Sequence, residues 1–231
     1  MNKLHQILSP QEIVIQWANV KQIRARRVVS RSNSRPTGKY PSWKMGRMMQ
    51  WDSKPESNAF RWLDANPEVL SFNEQPCVIH YVLDGEKHRH FPDILVTTRH
   101  GQELWEIKPK KNADQLEVVQ RTEHLTNCLS ELGYGYRIVH AESLVVEPQL
   151  RNIKWLLRLG RNPVDALCKE RIRLLFKESQ YISWKLINNK ELATDFQLAR
   201  LFLEGFLDFA LDQQINEETL ISIKSPTGEL L

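Results

Sequence analysis

Residues 91–111, FPDILVTTRHGQELWEIKPKK, constrain the fold of this chain more than any other stretch. Two runs that are otherwise apolar or β-prone flank Arg99-His100-Gly101, which reads as a turn, so the segment is a β-hairpin. With the turn centred near residue 100, Asp93 and Glu106 stand nearly opposite each other across the hairpin. Glu106 and Lys108 are two apart and share a face of their strand, while Ile107 points the other way, into the core. Three charges therefore sit inside strands that ought to be buried, and they need a physical reason.

Two carboxylates converging on one edge repel each other unless a cation lies between them. Oxygen-only ligands favour a hard ion such as Mg²⁺ or Mn²⁺. An ion so held polarises a phosphate and lowers the pKa of a bound water. Lys108 then positions that water or neutralises the phosphate. This is the logic of metal-dependent phosphodiester hydrolysis, and the competing reading is a salt-bridge cluster on a half-exposed hairpin. Pro92-Asp93, a strand, then Glu106-Ile107-Lys108 is the PD-(D/E)xK pattern of restriction-like nucleases. A further acid is expected on the preceding helix, and Glu56 is placed for it; Glu56 also fits simple capping of Ser53, and the sequence leaves both open.

The elements around the hairpin support an α/β (α+β) class. Ser53-Lys54-Pro55-Glu56 forms a capping box, Ala59, Phe60 and Leu63 follow on one helix face, and Asn66-Pro67 ends the helix. Residues 77–108 read as three antiparallel strands, with Asp84-Gly85 as a two-residue turn. Residues 113–132 form an amphipathic helix carrying Leu116, Val119, Leu125, Cys128, Leu129 and Leu132, with Gly133 as its stop. YRIVHAESLVV is another strand. The order gives a restriction-endonuclease-like mixed sheet flanked by helices. After Pro148 the pattern turns helical (QLRNIKWLLRLGR, PVDALCKERIRLLFKESQ, ATDFQLARLFLEG), and FLDFALDQQINEETLISI reads as a two-stranded wing. The expected domains are 1–50, a basic helix (8–24) and flexible arm; 51–150, the nuclease-like domain; and 151–231, a small winged-helix-like, partner-binding domain.

Charge is unevenly spread. Residues 1–50 hold ten Lys or Arg and a single acid, Glu12, ahead of a mildly acidic remainder, within a net charge of +4. A basic arm points to a polyanion, with DNA or RNA foremost, and Arg24, Arg26, Arg27, Lys110 and Lys111 are the expected phosphate contacts; a solvated basic tail is the bland alternative. No apolar run reaches the roughly 20 residues that span a bilayer, so no membrane partner is expected. The three cysteines form no CxxC pair and read as reduced, buried thiols of a cytoplasmic protein. His88 and His90 read as exposed edge-strand histidines on the face opposite Asp93, not as zinc ligands.

Beyond the triad, ESNAFRWLDANPEVLSFNEQP, HFPDILV…ELWEIKPKK, the helix at 113–132, YRIVHAESL, QLRNIKWLLRLGR and LARLFLEGFLDFALDQ follow in an order that resembles the TnsA endonucleases of cut-and-paste transposons. The resemblance covers roughly residues 50–225. It implies that Asp93, Glu106 and the Ile107 carbonyl hold the metal, that Glu56 completes the site and that Lys108 serves the attacking water. It implies nicking of the 5′, non-transferred strand at each transposon end, beside a DDE-type transposase and an AAA+ regulator ATPase, in a prokaryotic cytoplasm at the nucleoid. One departure is that the family's best-known member has glutamine where this chain has Glu106. The rival readings are a free-standing restriction-like nuclease or junction resolvase, and a catalytically silent DNA-binding scaffold.

Overall fold

The computed structural model describes residues 13–18, 24–25 and 36–224. The chain divides into two compact units, residues 1–60 with 69–144, and residues 61–68 with 145–231. It is a mixed α+β protein with several sheets.

The first unit runs β1 (Val14–Trp17), β2 (Gly38–Ser42), β3 (Arg47–Trp51), helix α1 (Lys54–Ala65, shared with the second unit), β4 (Val69–Glu74), β5 (Cys77–Leu83), β6 (Glu86–His90), β7 (Ile94–Thr98), β8 (Gly101–Lys108), α2 (Lys110–Ala113), α3 (Leu116–Glu131) and β9 (Tyr134–His140). A four-stranded sheet has the order β4-β7-β8-β9, antiparallel except for the parallel β8–β9 pair. The parallel pair needs a crossover, and α3 supplies it. A three-stranded sheet has the order β1-β5-β6. Ile13, Ile15, Cys77, Ile79 and Tyr81 from its strand side pack with Leu104, Leu125, Cys128, Leu129 and Tyr136 into one buried cluster.

Three expectations change here. The helix predicted over 8–24 is a strand at Val14–Trp17, paired residue for residue with β5. Its alternating burial of Ile13 and Ile15 fits a sheet surface, and pairing with a neighbour overrides local propensity. The arm predicted over 24–44 contains β2, which pairs antiparallel with β3. Gly38 makes room for the Trp51 ring in that hairpin, because a Cβ there would lie 2.3 Å from it and force the ring to shift. Finally, residues 77–108 form four strands in two sheets, not three in one. The break falls at Phe91-Pro92-Asp93, where proline cannot donate to a ladder. The Asp84-Gly85 turn forms as expected, both residues with positive φ (52° and 78°), the requirement of a type I′ turn.

The second unit holds α4 (Gln149–Leu159), α5 (Ala166–Leu175), β10 (Ile182–Ser183), α6 (Trp184–Asn189), α7 (Asp195–Leu203), β11 (Leu207–Asp208) and β12 (Leu220–Ile223). The strands form a small antiparallel sheet, β10-β12-β11. Thr194 and Gln197 close a capping box on α7. Buried Asn152 donates from Nδ2 to the Leu211 and Gln213 carbonyls at 2.9 and 2.7 Å, fixing the loop after β11 on α4. Among the described residues no helix is long and apolar enough to cross a membrane.

Candidate active site

The hairpin register is Thr98↔Gly101 through Ile94↔Trp105, and just before β7 the Asp93 amide donates to the Trp105 carbonyl at 2.9 Å. Asp93 thus lies just before β7, tied to β8 at Trp105 and Ile107, the two residues that flank Glu106. Asp93 is clamped from two sides. Its Oδ2 accepts the Ile107 amide at 2.7 Å, and its carbonyl accepts the Gln75 amide at 2.7 Å from the β4–β5 loop. Lys108 shares the Glu106 face, with Nζ 3.0 Å from Oε1.

Glu106 is nearly inaccessible, 6% exposed. A buried carboxylate is costly unless its charge is met. Here Arg121 Nη2 donates to both oxygens at 2.9 and 2.7 Å, and the Tyr136 hydroxyl donates to Oε2 at 2.7 Å. His90 Nε2 lies 3.0 Å from the Tyr136 hydroxyl and 3.7 Å from Oε2. Burial pushes the Glu106 carboxyl up, but His90, Tyr136, Arg121 and Lys108 outweigh it and hold the group below its ordinary value. His90 itself is driven down to about 4 by desolvation, against the pull of Glu106, so near neutrality the positive charge beside Glu106 comes from Arg121 and Lys108. Burial and the Glu106 charge push the Tyr136 hydroxyl up, which keeps it a donor.

The remaining predicted site residues fall elsewhere. Glu56 is turned onto the start of α1. Its Oε2 accepts the Asp52 amide at 2.8 Å, Oε1 accepts the Ser53 hydroxyl at 3.0 Å, and the Glu56 amide donates to Ser53 Oγ at 3.3 Å. The capping reading holds, and Glu56 is not drawn into the Asp93–Glu106 pair. Among the described residues no group of three or more His, Cys, Asp or Glu stands together as a metal site. Arg24, expected on a DNA backbone, has Nε 3.4 Å from buried Glu74. Lys110 and Lys111 are exposed at α2, as a phosphate contact requires. Arg26 and Arg27 lie outside the described residues.

The expectation for His90 is reversed, since it is buried and joins the acid's side. The Pro92 break places β6 and β7 in different sheets, so strand parity does not carry from His90 to Asp93. Arg121 and Tyr136 were not anticipated. Arg121 did leave a signal. It lies three after Val118 and four before Leu125, both buried, so it is a charge on the apolar stripe of α3.

This network makes stability pH-dependent, and the sign follows from His90. Its folded value, about 4, is below the ordinary 6.5, so the fold favours the neutral ring. That contribution is intact above pH 6.5 and is lost as pH falls from 6.5 through 4; at full effect it amounts to roughly 3 kcal/mol. Glu106 adds its own loss only at lower pH, as it is protonated below its ordinary value. Urea midpoints are expected to drop between pH 6.5 and 4.5, and His90→Gln should flatten that drop. A slope that survives in His90→Gln would place its origin elsewhere.

Residues 66–140, which contain Asp93, Glu106, Lys108, Arg121 and Tyr136, match the sequence pattern of the family described as TnsA-like endonuclease N terminal. A stretch of 68 residues is 40% identical to the head completion nuclease of Enterobacteria phage T4. That match covers 28% of this chain and 45% of the phage protein, so under half of the relative's length is spanned. Together the family match and the nuclease relative support a TnsA-like nuclease.

Proposed function

We propose that the protein is a metal-dependent DNA endonuclease and that it nicks the 5′, non-transferred strands at transposon ends as one subunit of a cut-and-paste transposase. The observation that carries the hydrolytic part is the attachment of Asp93 to both chain neighbours of Glu106, with Lys108 on the same acid. Asp93, Glu106 and the Ile107 carbonyl are the residues that would hold Mg²⁺ or Mn²⁺. The donor set fits: it is all oxygen, and Glu106 already keeps cationic groups against both of its oxygens. The ion would supply phosphate polarisation and a more acidic water. Lys108 orients the attacking water and offsets charge on the phosphate, and the bonds of Asp93 to Trp105 and Ile107 hold it beside the strand that carries Glu106. Glu56 is left as a helix cap.

The matched family supports a DNA substrate. In this reading Lys110 and Lys111 meet its backbone. The second unit, winged-helix-like, serves protein partners, a DDE-type transposase and an AAA+ ATPase. Residues 186–231 carry eight acids against Lys190, Arg200 and Lys224, an acidic surface that is a poor match for phosphates. The complex works at the nucleoid. A free-standing nuclease is the second reading, favoured by the 40% identity with the phage nuclease.

Strand-specific cleavage of a labelled transposon-end DNA in Mg²⁺ or Mn²⁺, with and without the neighbouring transposase, separates them. Cutting of the 5′ strand only with the transposase is the expected result. Vigorous cutting by the protein alone would favour the free-standing nuclease, and no cutting with DNA binding intact would sink both.

A further inference from the structure

We propose that Arg121 is a built-in counter-cation of Glu106, a rival of the divalent ion for that carboxylate, and that once displaced its guanidinium pairs with a phosphate of the DNA. This rests on the metal-nuclease reading above and extends it to a residue outside the PD-(D/E)xK pattern.

The geometry of the pair is the first argument. A guanidinium built for permanent pairing presents two nitrogens to two oxygens in a fork. Arg121 instead brings one nitrogen, Nη2, to both Glu106 oxygens at 2.9 and 2.7 Å. Its Nε is buried with no hydrogen-bond partner among the described residues. A single nitrogen thus spans both carboxylate oxygens, and Nε takes no part in the pairing.

The second argument is electrostatic. Glu106 has two full cationic partners, Arg121 and Lys108, at 2.7 and 3.0 Å. Adding a divalent ion would put two more positive charges on one acid, and Asp93 offers one further negative charge. Cations so close repel strongly in a poorly hydrated site. One must withdraw. Both side chains are partly exposed, Lys108 at 26% and Arg121 at 20%; Lys108 is the cation assigned to the attacking water, so Arg121, which reaches in from α3, is the one to withdraw. A guanidinium leaving Glu106 is therefore at the protein's surface, beside the site where the phosphate must come. Its planar donors match phosphate oxygens better than an ammonium does. Glu106 itself does not move, because the Tyr136 hydroxyl keeps its hold on Oε2 at 2.7 Å.

Arg121→Gln tests the idea through two readouts that should move in opposite directions. Mn²⁺ affinity, followed by calorimetry or by electron paramagnetic resonance without DNA, is expected to tighten about tenfold, the worth of one charge-assisted hydrogen bond. Single-turnover cleavage at saturating metal is expected to slow about tenfold or more, because the phosphate has lost a partner. A merely structural arginine would weaken both. Unchanged or weaker Mn²⁺ binding in a folded Arg121→Gln protein would overturn the proposal. If wild type shows no Mn²⁺ binding that depends on Asp93, the nuclease reading itself fails, which is a different outcome. Should Arg121→Gln not fold, the wild-type Arg121 side-chain nitrogen signal decides, assigned by its absence in Arg121→Lys. A shift that tracks Mg²⁺ saturation supports displacement; a still signal during Asp93-dependent binding overturns it.

Discussion

Asp93→Asn is expected to reduce DNA cleavage by at least about 10²–10³-fold while leaving the fold intact, and Glu106→Gln should reduce it equally, with a loss of stability because Arg121 then faces a neutral group. The choice of asparagine matters. Asp93 Oδ2 accepts the Ile107 amide, so alanine would strip a ladder contact as well as a charge. An amide oxygen can take over that acceptor role, and the backbone bonds of Asp93 to Trp105 and Gln75 do not involve the side chain. What asparagine lacks is the negative charge needed to share a cation with Glu106. Glutamine at 106 keeps an acceptor for the Tyr136 hydroxyl but leaves Arg121 facing a neutral group. The measurement is single-turnover cutting of labelled DNA in Mg²⁺, alongside thermal melting of each variant. Wild-type rates in Asp93→Asn would mean that the two acids are an ion-pair device of the fold and that hydrolysis happens elsewhere.

The parts of the site that could be read from the sequence are those set by local rules. The hairpin register follows from a two-residue connection, so the pairing of residues 94–98 with 101–105 is arithmetic once the turn is placed. The helix beginning at Ser53 follows from its capping signal, and the structure shows the Glu56 amide on Ser53 Oγ with the Glu56 carboxylate taking the Asp52 amide and the Ser53 hydroxyl. The parts that could not be read depend on contacts between distant segments. Tyr136 reaches Glu106 from a strand thirty residues on, and nothing local to it marks a polar role. His90 was misplaced because alternation along a strand was carried across Pro92, where the chain changes sheet. The face of α3 was read one position out at its start. Leu116 is exposed and Val118 buried, so the apolar stripe turns to include Arg121. A charge within such a stripe is a usable warning that a buried opposite charge lies beneath it. Two arginines of residues 1–50, Arg24 and Arg47, face an acid inside the fold.

Those arginines carry the second large effect. Glu74 ends β4 and is fully buried, 0% exposed. Arg47 grips it with two nitrogens, Nη1 on Oε1 at 2.9 Å and Nη2 on Oε2 at 2.6 Å. Arg24 Nε stands 3.4 Å from Oε1, and the Gln50 amide donates to the same oxygen at 3.2 Å. This cluster joins β3, β4 and the segment around Arg24 just before Gln75, whose positive φ of 45° turns the chain and whose amide holds the Asp93 carbonyl. Removing one partner of a buried pair strands the other charge, at a cost of about 3–5 kcal/mol. Arg47→Met should fall at the low end, about 3 kcal/mol, because Arg24 and the Gln50 amide still face Glu74. The readout is amide hydrogen exchange, where protection in β4 and β7 should drop roughly a hundredfold. Glu74→Leu added to Arg47→Met removes the stranded carboxylate and should recover much of that protection. The double variant tests the argument against simple loss of packing: if it is no better protected than Arg47→Met alone, the cost lies in the missing side-chain volume. Because the loop that Glu74 anchors also bonds Asp93, Arg47→Met should slow cleavage as well, although its guanidinium touches neither Asp93 nor Glu106. A wild-type rate in that variant would show that Asp93 is held in place by β8 alone.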